Sequence, residues 1–260
     1  MPNVLVEPER TPYDLRFRAL GFPVRVHPWF WIGSALMGSQ LLQAGPEFLL
    51  AWVAVVFVSL LVHELGHAVA FRRFGSHADI VLYAFYGLAI PTHEVSGRGR
   101  KIIISLAGPF AGFALCGLVY GSQELIGWAD PRRSVLVWYV YFSLVRVNLV
   151  WGVLNLLPVF PLDGGQVCRE LCGQFSGPRG KRISLKISFG CAILVVAYSI
   201  FCVMDTRGAG AGFTNQLPSW ALGTVFTAIL FGFLAYQSYQ LLGRSAWEDH
   251  HWDDRVPWER

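Results

Sequence analysis

Residues 48–71 read FLLAWVAVVFVSLLVHELGHAVAF. Apart from His63, Glu64 and His67 the stretch carries no ionisable side chain, and it exceeds the roughly 20 apolar residues that cross a bilayer as a helix. The same character recurs along the chain. Residues 26–46, 102–123, 187–204 and 208–243 contain no Lys, Arg, Asp or Glu, and 134–162 contain only Arg146. The composition, 54% hydrophobic and 15% charged, departs from the roughly 25% charged residues of soluble domains. These patterns predict an all-α polytopic membrane protein with about six transmembrane helices: 26–45, 48–71, 102–121, 134–157, 183–204 and 219–242.

Basic residues give the expected orientation. Seventeen lie in the N-terminal segment, in alternate loops and in the tail, while Arg132, Arg133 and Arg207 lie on the other side. The positive-inside bias places both termini in the cytoplasm of a multi-pass cell-membrane protein. A net charge of +4, spread over these loops, does not point to nucleic acid. Residues 1–25 lack the apolar core of a secretory signal and read as a cytoplasmic segment. Residues 26–204 form the expected five-span core, 205–243 a non-cytoplasmic loop around Gly208–Gly212 with the sixth span, and 244–260 a polar, disordered or surface-hugging tail. The five cysteines are odd in number and lie in or near the spans, which argues against a disulfide framework. Cys168 and Cys172 read as small residues on one helix face rather than as metal ligands.

His63 and His67, four positions apart, project from one helix face about 6 Å apart, the spacing for two ligands of one zinc ion. Glu64 beside them is placed to act as general base on a water there. Each ionisable group near the bilayer centre costs about 3 kcal/mol on insertion scales, and a shared cation offsets that cost for all three. Catalytic zinc usually takes a third protein ligand. Residues 155–165, NLLPVFPLDGG, offer Asp163 just after the fourth span, and His67 lies about 7.5 Å along its helix from the Arg72–Arg73 boundary. The depths agree if 158–165 folds back.

HELGH at 63–67 together with NLLPVFPLDGG at 155–165 resembles the site-2 proteases, intramembrane zinc metalloproteases, over roughly residues 20–175. The opening GFPVRVHPWFWIG resembles the compact branch of that family, without a PDZ domain. SLAGPFAG at 105–112 is similar to the family's AGP segment, with Gly112 where Asn is frequent; Gly108 and Gly112 read as a small-xxx-small packing pair. The resemblance implies one Zn²⁺ held by His63, His67 and Asp163, Glu64 as catalytic base, and Asn155 as a contact to the substrate backbone. It also implies a single-span membrane protein as substrate, cut near the cytoplasmic side of the bilayer in regulated proteolysis and signalling. Oligomeric state is open.

Residues 79–91, DIVLYAFYGLAIP, are rich in strand formers and read either as a cytoplasmic-side β-hairpin or re-entrant segment whose edge pairs with an extended substrate, or as an apolar surface-seeking loop. Arg146, nine residues before Asn155, reads as lying towards the outer half of the bilayer, where pairing with a carbonyl, a carboxylate or a lipid headgroup is favoured over a direct catalytic role. His27, His77 and His93 lack ligand spacing, and His250 and His251 read as solvated. Two alternatives stay open: a catalytically silent zinc-binding scaffold, against which Glu64 argues, and a metal transporter, which favours several polar sites along a path.

Overall fold

A computed structural model describes residues 8–84, 86–207 and 225–253. The chain divides into two compact units, one up to Leu156 and one from Leu157 onward.

The first unit joins four strands to four helices. Strands β1 (Leu15–Ala19) and β2 (Phe22–Val26) pair antiparallel, β2 pairs parallel with β3 (Ala78–Tyr83), and β3 pairs antiparallel with β4 (Tyr86–Pro91). The order β1-β2-β3-β4 leaves β4 at one edge. Thus 79–91 is a hairpin, and residues 15–26, read from the sequence as cytoplasmic segment up to the start of the first span, form a second. Its two-residue turn, Leu20–Gly21, has positive φ at both positions (51° and 86°), the backbone that matches the twist of flanking strands. Arg72 grips this turn, donating from one guanidinium nitrogen to the Leu20 carbonyl at 3.1 Å and lying 4.5 Å over the Phe22 ring. Alternation turns Phe22, Val24 and Val26 of β2 and Ala78, Ile80 and Leu82 of β3 into one core with Phe30, Leu60 and Ala68.

The segment expected as the first span is not one helix. It forms α1 (Pro28–Met37) and a 3₁₀ turn (Ser39–Gln43) before α2 (Pro46–Arg73) begins. The Trp52 ring of α2 packs against Gly38 where a Cβ would overlap it, and its Nε1 donates to the Ser34 carbonyl at 3.1 Å. Five helices, not six, are long and apolar enough to cross a membrane among the described residues. Two of them, α3 (Arg98–Ile126) and α4 (Val135–Asn155), complete this unit, and both α3 and α4 pack on α2.

The second unit contains α5 (Asp163–Ser176), α6 (Gly180–Arg207) and α7 (Val225–Asp253). The last helix continues through 244–253, where a polar, disordered or surface-hugging tail was expected. The Gly208–Gly212 loop, residues 254–260 and the His250 and His251 side chains lie outside the described residues. All five cysteines are free thiols, as their number suggested. Burial, then the neighbouring Cys172 thiol 3.9 Å away, pushes the Cys168 thiol up to about 11, so it stays protonated at neutral pH.

Candidate metal centre

Helix α2 supplies His63, Glu64 and His67, all nearly sealed from solvent at 4%, 5% and 8% exposure. The two imidazole Nε2 atoms lie 3.3 Å apart. Two nitrogens bound at about 2.0–2.1 Å to one tetrahedral zinc would be separated by roughly 3.3 Å, so this donor pair fits the ion. The second observation concerns tautomers. His67 Nδ1 lies 2.7 Å from the Ile104 carbonyl on α3. A carbonyl only accepts, so Nδ1 carries the proton and Nε2 keeps its lone pair for a metal. Such outer hydrogen bonds fix ring orientation and raise ligand basicity.

Two glycines shape the space around these side chains. A Cβ on Gly108 of α3 would lie 2.8 Å from His63 Nε2 and closer still to His67 Nε2. The room in front of both donor nitrogens therefore exists because position 108 has no side chain. A Cβ on Gly87 of β4 would lie 2.5 Å and 2.6 Å from Glu64 Cγ and Cδ. The edge strand thus runs its bare backbone against the carboxylate.

Asn155 ends α4, half-buried, with Nδ2 donating to the Trp151 carbonyl at 2.9 Å. Asp163 lies in the second unit as the first residue of α5, half-buried, on the short segment that follows Pro158 and Pro161. His27 caps α1, its Nδ1 accepting from the Trp29 N–H at 3.2 Å. His77 and His93 are exposed in loops, and Arg146 sits half-buried on α4, about 13.5 Å along the helix from Asn155. Sequence reasoning missed the Ile104 carbonyl, which no side-chain pattern reveals. It also read Gly108 as a packing residue. Gly66 of α2 also lies close against α3: a Cβ there would lie 2.8 Å from Ala111 Cβ and closer still to the Ala107 carbonyl oxygen.

These elements define a multi-pass membrane protein with a buried histidine pair at metal-ligand spacing and an adjacent carboxylate on a helix long and apolar enough to span. Residues 122–197 match peptidase family M50, a region that contains the NLLPVFPLDGG segment. A zinc metalloprotease of Methanocaldococcus jannaschii is 24% identical over 190 residues, 72% of this chain and 54% of that protein. Stage IV sporulation protein FB of Bacillus subtilis is 26% identical, over 80% of this chain and 65% of that protein. The chain spans about half the length of the first of these relatives. In fold it is similar to the solved site-2 protease from Methanocaldococcus jannaschii, with a TM-score of 0.54 at 21% identity, covering 88% of this chain and 95% of the other. Residues 122–197 are thus similar to peptidase family M50, and the fold is similar to that of a site-2 protease.

Proposed function

We propose that the chain is a zinc-dependent intramembrane endopeptidase in which His63, His67 and Asp163 hold one Zn²⁺, Glu64 is the general base and Asn155 contacts the substrate backbone. The observation that carries this reading is the buried His63–His67 pair, with its Nε2 atoms at ligand spacing and a carboxylate one residue away. The HELGH and NLLPVFPLDGG motifs, and the zinc metalloproteases among the relatives, support the ligand set and the metal.

Zinc, when bound, supplies Lewis acidity that acidifies water and polarises a carbonyl. The protein does the rest. Ile104 holds His67 in its ligating tautomer, and Gly108 keeps the donor nitrogens accessible. Glu64 takes a proton from the attacking water and returns it to the departing amine. Burial excludes bulk solvent and strengthens both transfers electrostatically. A transmembrane substrate hides its peptide bonds in helical hydrogen bonds, so the segment to be cut must become extended. The outer edge of β4, whose Gly87 backbone lies against Glu64, is where an extended segment adds as a further strand. The substrate is then a single-span membrane protein, cut near the cytoplasmic side, with the fragment released as a signal.

Both termini are cytoplasmic in this reading, which the basic-residue bias supports. The pairing of β2 with β3 agrees for the N-terminal side, since it puts residues 15–26 on the same face as the Arg72–Arg73 end of α2. The test compares membrane proteomes of cells expressing the chain and its Glu64→Gln variant. Fragments of single-span proteins, with new termini inside a span, should appear only with the unaltered chain. Identical fragment sets, with zinc bound in both proteins, would sink the protease reading.

A further inference from the structure

The serines buried in α6 and α7 belong to no motif, yet one of them, Ser188, reaches the segment that carries Asp163, and a second, Ser238, bonds to the first. Phe160 lies between Pro158 and Pro161, three residues before Asp163, and its N–H donates to Ser188 Oγ of α6 at 2.8 Å. Ser188 Oγ is in turn 2.8 Å from Ser238 Oγ of α7. Ser188 is 1% exposed and Ser238 0%. Because an amide N–H only donates, the Ser188 oxygen accepts from Phe160 and shares a proton with Ser238. The other side of the same peptide is closed by α5, where a Cβ on Gly165 would lie 2.5 Å from Phe160 N and from the Val159 carbonyl group. Val159 then passes the constraint on, its carbonyl accepting from the Leu162 N–H at 2.8 Å.

We propose that Ser188 and Ser238 are positioning residues for the metal centre: they fix the Val159–Phe160 peptide, and through it the place of the Asp163 carboxylate. The inference rests on reading Asp163 as the third ligand. It makes α7, which lies beyond the segment matching the peptidase family, part of the scaffold of the site. In a bilayer a backbone N–H without an acceptor has no water to turn to. The Phe160 amide is therefore expected to pull the segment towards another acceptor when the serine oxygen is removed, and to carry Asp163 with it. A mere interspan contact between two serines would affect helix association instead.

The experiment uses the full chain in nanodiscs and reads three quantities: zinc Kd by chelator competition, thermal midpoint, and hydrogen exchange of the 157–162 segment. Ser188→Ala should raise Kd about 10- to 100-fold, the range for outer-shell partners of a metal site, and speed exchange at Phe160. Ser238→Ala, which leaves the Phe160 acceptor in place, should raise Kd a few-fold. Ser199→Ala, another fully buried serine on α6, should lower the midpoint but leave Kd within twofold. A Ser188→Ala Kd within twofold of the unaltered chain, while Asp163→Asn weakens zinc strongly, would overturn the positioning role and spare the ligand assignment. If Asp163→Asn leaves Kd unchanged, the ligand assignment falls and the positioning role with it. Should Ser188→Ala not fold, Ser238→Ala decides: a raised Kd supports the role and an unaltered one overturns it.

Discussion

Replacing Gly108 by alanine adds one methyl group to the most crowded point of the metal centre. The new Cβ would overlap His67 Nε2, lie 2.6 Å from His67 Cε1 and 2.8 Å from His63 Nε2. Relief requires either that the His67 ring swings or that α3 retreats from α2. A swing breaks the 2.7 Å bond to Ile104, a loss of about 1–3 kcal/mol for a buried pair. A retreat opens the α2–α3 packing at Gly66, and overpacking of this kind costs about 1–3 kcal/mol. Both displace the donor nitrogens, so zinc affinity should fall about 10- to 100-fold, as it does when the outer support of metal ligands is lost. The assay is thermal unfolding with and without zinc. At free zinc 100 times the wild-type Kd, binding adds about 2.7 kcal/mol of stability, and after a hundredfold loss of affinity it adds about 0.4 kcal/mol.

Gly112, one turn further along α3, is the internal control. A Cβ there would lie 3.6 Å from Asn148 Oδ1, an ordinary contact. Alanine is the better helix former by about 1 kcal/mol, so Gly112→Ala should be neutral or stabilising and keep the full zinc-dependent gain. A Gly108→Ala protein that also kept the full gain would refute the claim that the missing side chain creates the metal site.

Gly87→Ala should instead retain zinc but lose proteolysis at least tenfold, because its Cβ displaces Glu64 rather than the histidines; zinc content and cleavage of a reporter substrate separate the two effects. Asn148 donates to Ser59 Oγ at 2.9 Å, one turn before His63, and a double-mutant cycle of Asn148→Leu with Ser59→Ala should show a coupling of about 0.6–1.7 kcal/mol by unfolding in detergent. Asp14 should give acid sensitivity. Burial raises its carboxyl, but hydrogen bonds from the Thr11 hydroxyl and N–H, with the hydrogen bond and charge of Arg25, outweigh burial and hold it at about 2. A depressed carboxylate stabilises the fold fully above its unfolded pKa near 4, and that stability is lost as pH falls through about 2. Asp14→Asn should flatten the thermal midpoint across this window; an unchanged slope would count against the Thr11–Arg25 cage.

The histidine pair was legible because helical geometry turns an i, i+4 spacing into a spatial one, and the buried glutamate was legible because the bilayer makes its cost plain. The β3–β4 hairpin was legible from strand formers around Gly87. The β1–β2 hairpin was not, although LRFRA and FPVRV alternate and Leu20–Gly21 supplies the turn. Their arginines read as a cytoplasmic charge cluster, whereas Arg25 is buried and salt-bridged to Asp14 at 3.2 Å. Hydropathy likewise could not distinguish a helical first span from α1 and a 3₁₀ turn. The break falls at Gly38, where the Trp52 ring of the next helix leaves no room for a side chain, a tertiary fact.

Glycine shows the same limit more sharply. GPFAG places Gly108 and Gly112 on one helix face, and spacing alone makes them equivalent packing residues. Their surroundings differ completely: one faces two imidazole nitrogens with no room for a methyl, the other faces an asparagine at ordinary distance. Gly66 and Gly87 divide in the same way, the first setting the approach of two helices and the second exposing strand backbone to Glu64. A ligand can be recognised from its own chemistry, because histidine in a bilayer demands a reason. A glycine has no chemistry of its own, and its role is set entirely by what would collide with the side chain it lacks. The space in front of the donor nitrogens and beside Glu64 depends on these absent side chains, so substituting Gly108 and Gly87 is expected to separate metal binding from proteolysis where substituting a ligand is not.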